Sequence, residues 1–123
     1  MLQNVPYYEL RKTFEISAAH KLELSYQSKC EVVHGHNWKI EVEVGTEELN
    51  KDGMVIDFTH LKKVVMRLDH GNLNNMIENP TAERIAKYLH EEIERALEVY
   101  NPDASVTQIT VTESEGNVIC FTP

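Results

Sequence analysis

Three histidines in this chain stand where strand geometry can bring them together. His34-Gly35-His36 opens a strictly alternating run, and His20 closes an earlier one. In an extended chain, residues two apart point to the same face, about 6.5 Å apart at Cα, so the imidazoles of His34 and His36 can converge on one ion. The intervening glycine leaves the opposite side unobstructed. His20 shares the parity of Phe14, Ile16 and Ala18, and if the two strands pair, a third imidazole arrives beside the first two. Three imidazoles and an open fourth position are what a catalytic zinc ion needs, the open position taking water or a substrate oxygen for the ion to polarise. Two simpler readings stay open on spacing alone. His34 and His36 can be surface histidines in a turn, or Cys30, in the spacing Cys30-x3-His34-x-His36, can complete a closed structural tetrahedron.

The elements that must position these residues are visible in the hydrophobic pattern. From Tyr8 to Ala19, Leu10, Phe14, Ile16 and Ala18 take one parity, and Arg11, Thr13 and Glu15 the other. From Asn37 to Gly45, Trp38, Ile40, Val42 and Val44 alternate with Asn37, Lys39, Glu41 and Glu43, a period of two that predicts a half-buried strand. Lys21 to Val33 is polar and irregular and reads as a connection. Asp52-Gly53 reads as a turn, and Met54 to Phe58 leads into a helix with Thr59 as its expected N-cap. In that helix Leu61, Val64, Val65 and Leu68 fall at i, i+3, i+4 and i+7, and Gly71 is expected to terminate it. A second helix starts after Pro80 with Thr81 as cap, runs through Ile85, Leu89, Ile93, Ala96 and Leu97, and stops at Asn101-Pro102. Val106 to Glu113 and Val118 to Phe121 form a closing hairpin around Glu115-Gly116-Asn117. The order ββααββ predicts an α+β fold: a four-stranded antiparallel sheet with two helices on one face, in a single domain over residues 1–123. A small sheet of this kind has edge strands that must be paired or covered, which invites association between subunits.

Composition excludes several function classes. The 123 residues are 41% hydrophobic and 26% charged, ordinary for a globular chain with one core. A net charge of −8 supplies no basic stripe for phosphate neutralisation and argues against nucleic acid. No apolar run approaches a membrane span, and Met1 to Glu9 lacks a signal-peptide pattern, so a cytoplasmic location is the expectation. Cys30 and Cys120 make no disulfide framework; a thiol in a reducing compartment is more often buried, metal-bound or catalytic.

Five ordered segments resemble the signature of the 6-pyruvoyltetrahydropterin and 6-carboxytetrahydropterin synthase family. The first is Phe14-Glu15-Ile16-Ser17-Ala18-Ala19-His20 followed by Cys30-Glu31-Val32-Val33-His34-Gly35-His36-Asn37. Gly53-Met54-Val55-Ile56-Asp57-Phe58 with Leu61-Lys62 is similar to the family's entry into its first helix. Leu68-Asp69-His70 with Leu73-Asn74, Asn79-Pro80-Thr81-Ala82-Glu83, and Thr112-Glu113 complete the set. The resemblance covers about Tyr8 to Phe121 and implies the tunnelling fold (T-fold), in which three sheets close into a barrel and two rings stack into a homohexamer, a dimer of trimers with active sites at subunit boundaries. It implies Zn2+ held by His20, His34 and His36, and Cys30 as a catalytic thiol rather than a ligand. Asp69 and His70 become a proton-handling pair reaching a neighbouring subunit's site, and Glu113 the anchor of a pterin ring, with Thr81 and Glu83 helping to hold it.

General chemistry is compatible with each role. A thiol beside a divalent cation ionises readily, an aspartate can orient an imidazole, and a carboxylate can accept two parallel hydrogen bonds from a pterin. Local alternatives exist for each as well: Cys30 as a buried apolar residue, Asp69 and His70 as helix-exit residues, Glu113 as an exposed residue before a turn, and Thr81 as a cap alone. His60 and His90 read as surface residues and Cys120 as a packing residue. The family divides by chemistry, and three residues between Cys30 and His34 resemble the branch that converts 7,8-dihydroneopterin triphosphate to 6-carboxytetrahydropterin, acetaldehyde and triphosphate for queuosine and related deazapurines. The other branch eliminates triphosphate to give 6-pyruvoyltetrahydropterin. Glu31, next to Cys30, raises a third activity, side-chain cleavage of dihydroneopterin toward a folate precursor. A triphosphate substrate on an acidic chain also needs cations, for which Lys21, Lys29 and Arg67 are candidates. A non-catalytic zinc-binding module is the alternative from a different class.

Overall fold

The computed structural model describes residues 5–123, so the start of the Met1–Glu9 segment lies outside the described residues. Four strands form one antiparallel sheet in the order β1-β2-β3-β4: β1 is Tyr8–His20, β2 His34–Thr46, β3 Ser105–Ser114 and β4 Asn117–Phe121. Helices α1 (Phe58–Val65) and α2 (Ala82–Tyr100) lie between β2 and β3 in the chain. This is the expected ββααββ order. β1 and β2 both run further than their apolar alternation, to His20 and from His34, because those two residues pair directly across the ladder.

Alternation sorts the sheet into two faces. Phe14, Ile16 and Ala18 of β1, Trp38, Ile40, Val42 and Val44 of β2, and Val106, Ile109 and Val111 of β3 are all buried on one of them. The apolar stripes of α1 (Leu61, Val64, Val65) and α2 (Ile85, Ala86, Leu89, Ile93, Leu97) join the same core. Each stripe follows the helical period, so burying it against the sheet is the main source of stability for both helices.

Two expectations about α1 need correction. Its N-cap is Asp57, not Thr59: the Asp57 carboxylate accepts the Thr59 N–H and hydroxyl, each at 2.8 Å. Those hydrogen bonds, the backbone one foremost, hold the Asp57 carboxyl below its usual range. Nor does Gly71 end the helix in the left-handed region. The chain tightens into a 3-10 turn over Met66–Leu68, and His70 takes the positive φ, 57°. The reversal comes one residue early because the segment must dock on β1: the His70 N–H donates to the Ser17 carbonyl at 2.6 Å, and the Gly71 carbonyl accepts the Ala19 N–H at 3.0 Å. That docking covers the end of β1 that carries His20.

α2 begins as expected, with the Thr81 hydroxyl accepting the Arg84 N–H at 3.2 Å. It stops at Asn101, which is 2% exposed and does more than end a helix. Its side-chain amide donates to the carbonyls of Glu48 and Val55, both at 3.0 Å, tying the β2–α1 connection to the end of α2. Among the described residues no helix is long and apolar enough to cross a membrane. Replacing Asn101 by Ala removes a donor from each of these carbonyls, of which only that of Glu48 keeps another, the Thr46 hydroxyl at 2.7 Å, and is expected to destabilise the protein by about 1–2 kcal/mol in urea unfolding. A change under about 0.5 kcal/mol would mean water satisfies those carbonyls.

Candidate metal centre and the recess around it

The β1–β2 register sets Ala18 opposite His36 and His20 opposite His34. All three imidazoles therefore project on the core face, just beyond the last apolar layer. Their ligand nitrogens lie within 4.8 Å of one another, the one such His/Cys/Asp/Glu group among the described residues. Trp38, next along the same face of β2, sits edge-on to His20 at 5.0 Å and to His36 at 5.3 Å. Its indole N–H donates to the Ala18 carbonyl at 3.2 Å, which locks the apolar floor of the cluster.

Backbone carbonyls set the tautomers. His20 Nδ1 lies 2.8 Å from the Pro80 carbonyl and His34 Nδ1 2.8 Å from the Val32 carbonyl. A carbonyl only accepts, so each Nδ1 carries the proton, and in the neutral ring Nε2 is the nitrogen with the lone pair. The Nε2 atoms of His20 and His36 are buried without a hydrogen-bond partner. Leaving a buried acceptor unpaired costs about 1–3 kcal/mol, so the arrangement is poor on its own and fits a divalent cation that nitrogen donors favour. Burial, first of all, pushes the His20 imidazole below its ordinary 6.5; the Pro80 bond opposes this and the neighbouring His34 adds to it. A neutral, lone-pair-bearing imidazole is the form a metal requires.

The cluster opens into a recess of about 590 Å³ lined by Lys29, Cys30, His34, His36, Glu113 and Asn117, among others. Cys30 is half-buried in the 3-10 turn Lys29–Glu31, its N–H fixed by the Ser28 hydroxyl at 3.1 Å. It faces the recess but stands outside the set of converging ligand atoms. Glu31 is exposed and does not line the recess. Glu113 is the extra residue of a β-bulge between Thr112 and Ser114, a device that re-aims a side chain. Its carboxylate comes within 3.7 Å of His20 Nε2, beyond hydrogen-bond range, and an ion pair would need the proton that burial disfavours on His20. The carboxylate is left available to a ligand.

Other residues singled out in the sequence fall elsewhere. Asp69 Oδ1 accepts the Ser17 N–H at 2.8 Å, and Asp69 Oδ2 lies 3.3 Å from His70 Nε2. His70 lines a second recess with Ser17 and Asn37, which shares Gly35 and His36 with the first. Within one chain, then, the Asp69–His70 pair does not reach the Cys30 recess. Thr81 caps α2 and Glu83 is exposed in its first turn; neither lines the Cys30 recess. Cys120 is exposed rather than a packing residue, because β4 is an edge strand and position 120 faces away from the helices. His60 and His90 are half-buried, not free on the surface: His60 stacks on Tyr100 at 3.6 Å and His90 lies against Phe121. The carbonyls that orient His20 and His34 carry no side-chain signature and were invisible in the sequence. Trp38 was legible only as a core residue, and Asn117 only as part of a turn.

Comparison with known proteins adds to this geometry. Residues 9–123 match the family model described as 6-pyruvoyl tetrahydropterin synthase. A Bacillus subtilis protein named 6-carboxy-5,6,7,8-tetrahydropterin synthase is 29% identical over 132 residues, covering 96% of this chain and 88% of that protein. A Pyrococcus furiosus protein named dihydroneopterin monophosphate aldolase is 42% identical over 91 residues, covering 71% of this chain and 74% of that one. For a Pyrococcus horikoshii relative, 53% identity extends over 58 residues, 36% of that protein's length. The solved structure of Caenorhabditis elegans 6-pyruvoyl tetrahydropterin synthase superposes with a TM-score of 0.75 at 26% identity, covering 99% of both chains.

The His20 environment makes a signed prediction for the metal-free protein. Its folded-state value lies below 6.5, so as pH falls below 6.5 the unfolded chain takes up a proton before the folded one does, and stability drops until the folded-state value is passed. In denaturant unfolding at a series of pH values, His20→Gln is expected to flatten that slope relative to the parent. Parallel slopes would mean that His20 is already protonated or solvated in the folded protein.

Proposed function

The chain belongs to the 6-pyruvoyl tetrahydropterin synthase family, and on that premise we propose that it is a zinc-dependent lyase, a 6-carboxy-5,6,7,8-tetrahydropterin synthase. In this reading it converts 7,8-dihydroneopterin triphosphate, with one water, to 6-carboxytetrahydropterin, acetaldehyde and triphosphate, for queuosine and related deazapurines. The observation that carries it is one recess where His34 and His36, which converge with the buried His20, meet a thiol outside their set and the Glu113 carboxylate. The relative from Bacillus subtilis and the three-residue spacing from Cys30 to His34 support this branch over the pyruvoyl-forming one.

His20, His34 and His36 hold the zinc. A zinc ion held there would supply Lewis-acid polarisation of the oxygen atoms of the substrate side chain. Glu113 accepts two hydrogen bonds from the pterin ring N–H and exocyclic amine, which fixes the ring against the recess wall. Cys30 then faces the side chain and moves a carbon-bound proton. The Asp69–His70 pair is ready to relay protons, His70 held by Asp69 and Asp69 by the Ser17 N–H. Because that pair opens on a different recess of its own chain, it serves the site of a neighbouring subunit. Thr81 and Glu83, off the Cys30 recess, are assigned to the same shared boundary. The assembly in this reading is a homohexamer, a dimer of trimers of one T-fold domain over residues 1–123, in the cytoplasm. The free edge of β4 and the uncovered length of β1 are the edges by which sheets of neighbouring subunits pair.

The identity to the Pyrococcus furiosus aldolase keeps one other reading in view, cleavage of a dihydroneopterin side chain to a 6-hydroxymethyl pterin. Glu31 is the residue that reading needs, and it does not line the recess that Cys30 lines. Zinc-loaded protein given 7,8-dihydroneopterin triphosphate without oxygen is expected to release 6-carboxytetrahydropterin and acetaldehyde, identified by mass. Cys30→Ala should lower turnover by roughly 10²–10⁴-fold with zinc still bound at the parent's stoichiometry. A 6-pyruvoyl or 6-hydroxymethyl product would overturn the assigned reaction, and loss of zinc from Cys30→Ala would make Cys30 a ligand.

A further inference from the structure

A triphosphate tail brings several negative charges to a chain whose own net charge is −8, so a cation must stand where the tail ends. The fold gives the basic residues Lys21, Lys29 and Arg67 three different surroundings. Arg67 is engaged by Glu92 at 3.4 Å, a carboxylate that Arg95 also holds at 2.7 Å. Lys21 borders a separate recess beside Glu23 and Glu78. Lys29 is the one Lys or Arg lining the metal recess, and among the described residues it enters no ion pair.

The backbone around Lys29 is held in place. Its carbonyl accepts the Val32 N–H at 3.2 Å, closing the 3-10 turn that Ser28 caps. The next carbonyl, that of Cys30, accepts the Leu22 N–H at 2.8 Å. Lys29 and Cys30 thus enter the recess as one unit, from the β1–β2 connection, while Glu113 and Asn117 enter from the β3–β4 hairpin. A ligand whose ring is anchored on Glu113 shares its recess with His34, His36 and the turn that carries Lys29.

We propose that Lys29 is the phosphate-binding residue of this recess, its ammonium holding the phosphorylated tail of the substrate while the adjacent thiol faces the carbon chain. The assignment rests on the pterin reading of the same recess. A lysine suits it, since a flexible point charge follows a mobile phosphate without demanding one bidentate geometry.

Neopterin triphosphate and neopterin, whose oxidised rings serve as non-reacting probes, test this by fluorescence titration of the zinc-loaded protein. The parent is expected to bind the triphosphate more tightly than neopterin. Lys29→Gln should lose about tenfold in affinity for the triphosphate and nothing for neopterin, and Lys29→Arg should keep most of the preference. Equal losses for both probes, or no loss for either, would overturn the assignment. So would an unchanged triphosphate preference together with a shift in the pH midpoint of Cys30 alkylation by iodoacetamide, which would give Lys29 to the thiol instead. If the parent shows the preference and Lys29→Gln loses it, yet the parent turns over no dihydroneopterin triphosphate, the phosphate subsite stands and the assigned reaction falls. If the parent binds neither probe, the pterin reading and this assignment fall together.

Discussion

The antiparallel register that sets His20 opposite His34 and Ala18 opposite His36 is the constraint on which the site depends. Side chains alternate with a period of two, so a slip of one residue would send His34 and His36 to the far face and leave His20 alone. What holds the register is the apolar layer behind the histidines. Ile16 faces Trp38 and Phe14 faces Ile40, all buried under the helices, and a slip would expose that whole layer. The three histidines occupy the last two facing pairs of a ladder whose next pairs are core.

That coupling explains why the site can tolerate an unfavourable local arrangement. Buried Nε2 atoms without hydrogen-bond partners on His20 and His36 cost stability without a cation, and the core beneath them supplies the stability they lack. The same economy appears in the neighbouring segments. Docking of Asp69–Asn72 on β1 covers the strand end at His20, orients Asp69 through the Ser17 N–H, and puts His70 in the left-handed region. A non-glycine residue in that conformation is uncommon, although histidine is among the types that adopt it more readily. On the other flank, the bulge at Glu113 turns a carboxylate toward the cluster without closing an ion pair with it.

Much of this was legible in the sequence, for identifiable reasons. Strands show a period of two wherever one face is buried, so β1, β2 and the parity of His20, His34 and His36 could be read directly. Thr81 and Asn101 were legible as helix punctuation because their roles are local. Features set by tertiary contact were not. Asp57 captures the cap of α1 two residues before Thr59, and His70 takes the turn expected of Gly71, each through partners distant in sequence or ambiguous among polar neighbours. The separation of Asp69–His70 from Cys30 within one chain is likewise a property of packing. Lys21, Lys29 and Arg67 are equivalent as letters, and only the fold distinguishes the lysine in the metal recess from the others.

The central claim is that three imidazoles hold the metal while the Cys30 thiol stays free for chemistry. X-ray absorption at the zinc edge of the loaded protein tests it most directly. The expected spectrum has three imidazole nitrogens at about 2.0–2.1 Å, a light-atom fourth ligand, and no sulfur. A sulfur shell near 2.3 Å would contradict the account, closing the tetrahedron with Cys30 and leaving a structural zinc module in place of an open catalytic centre.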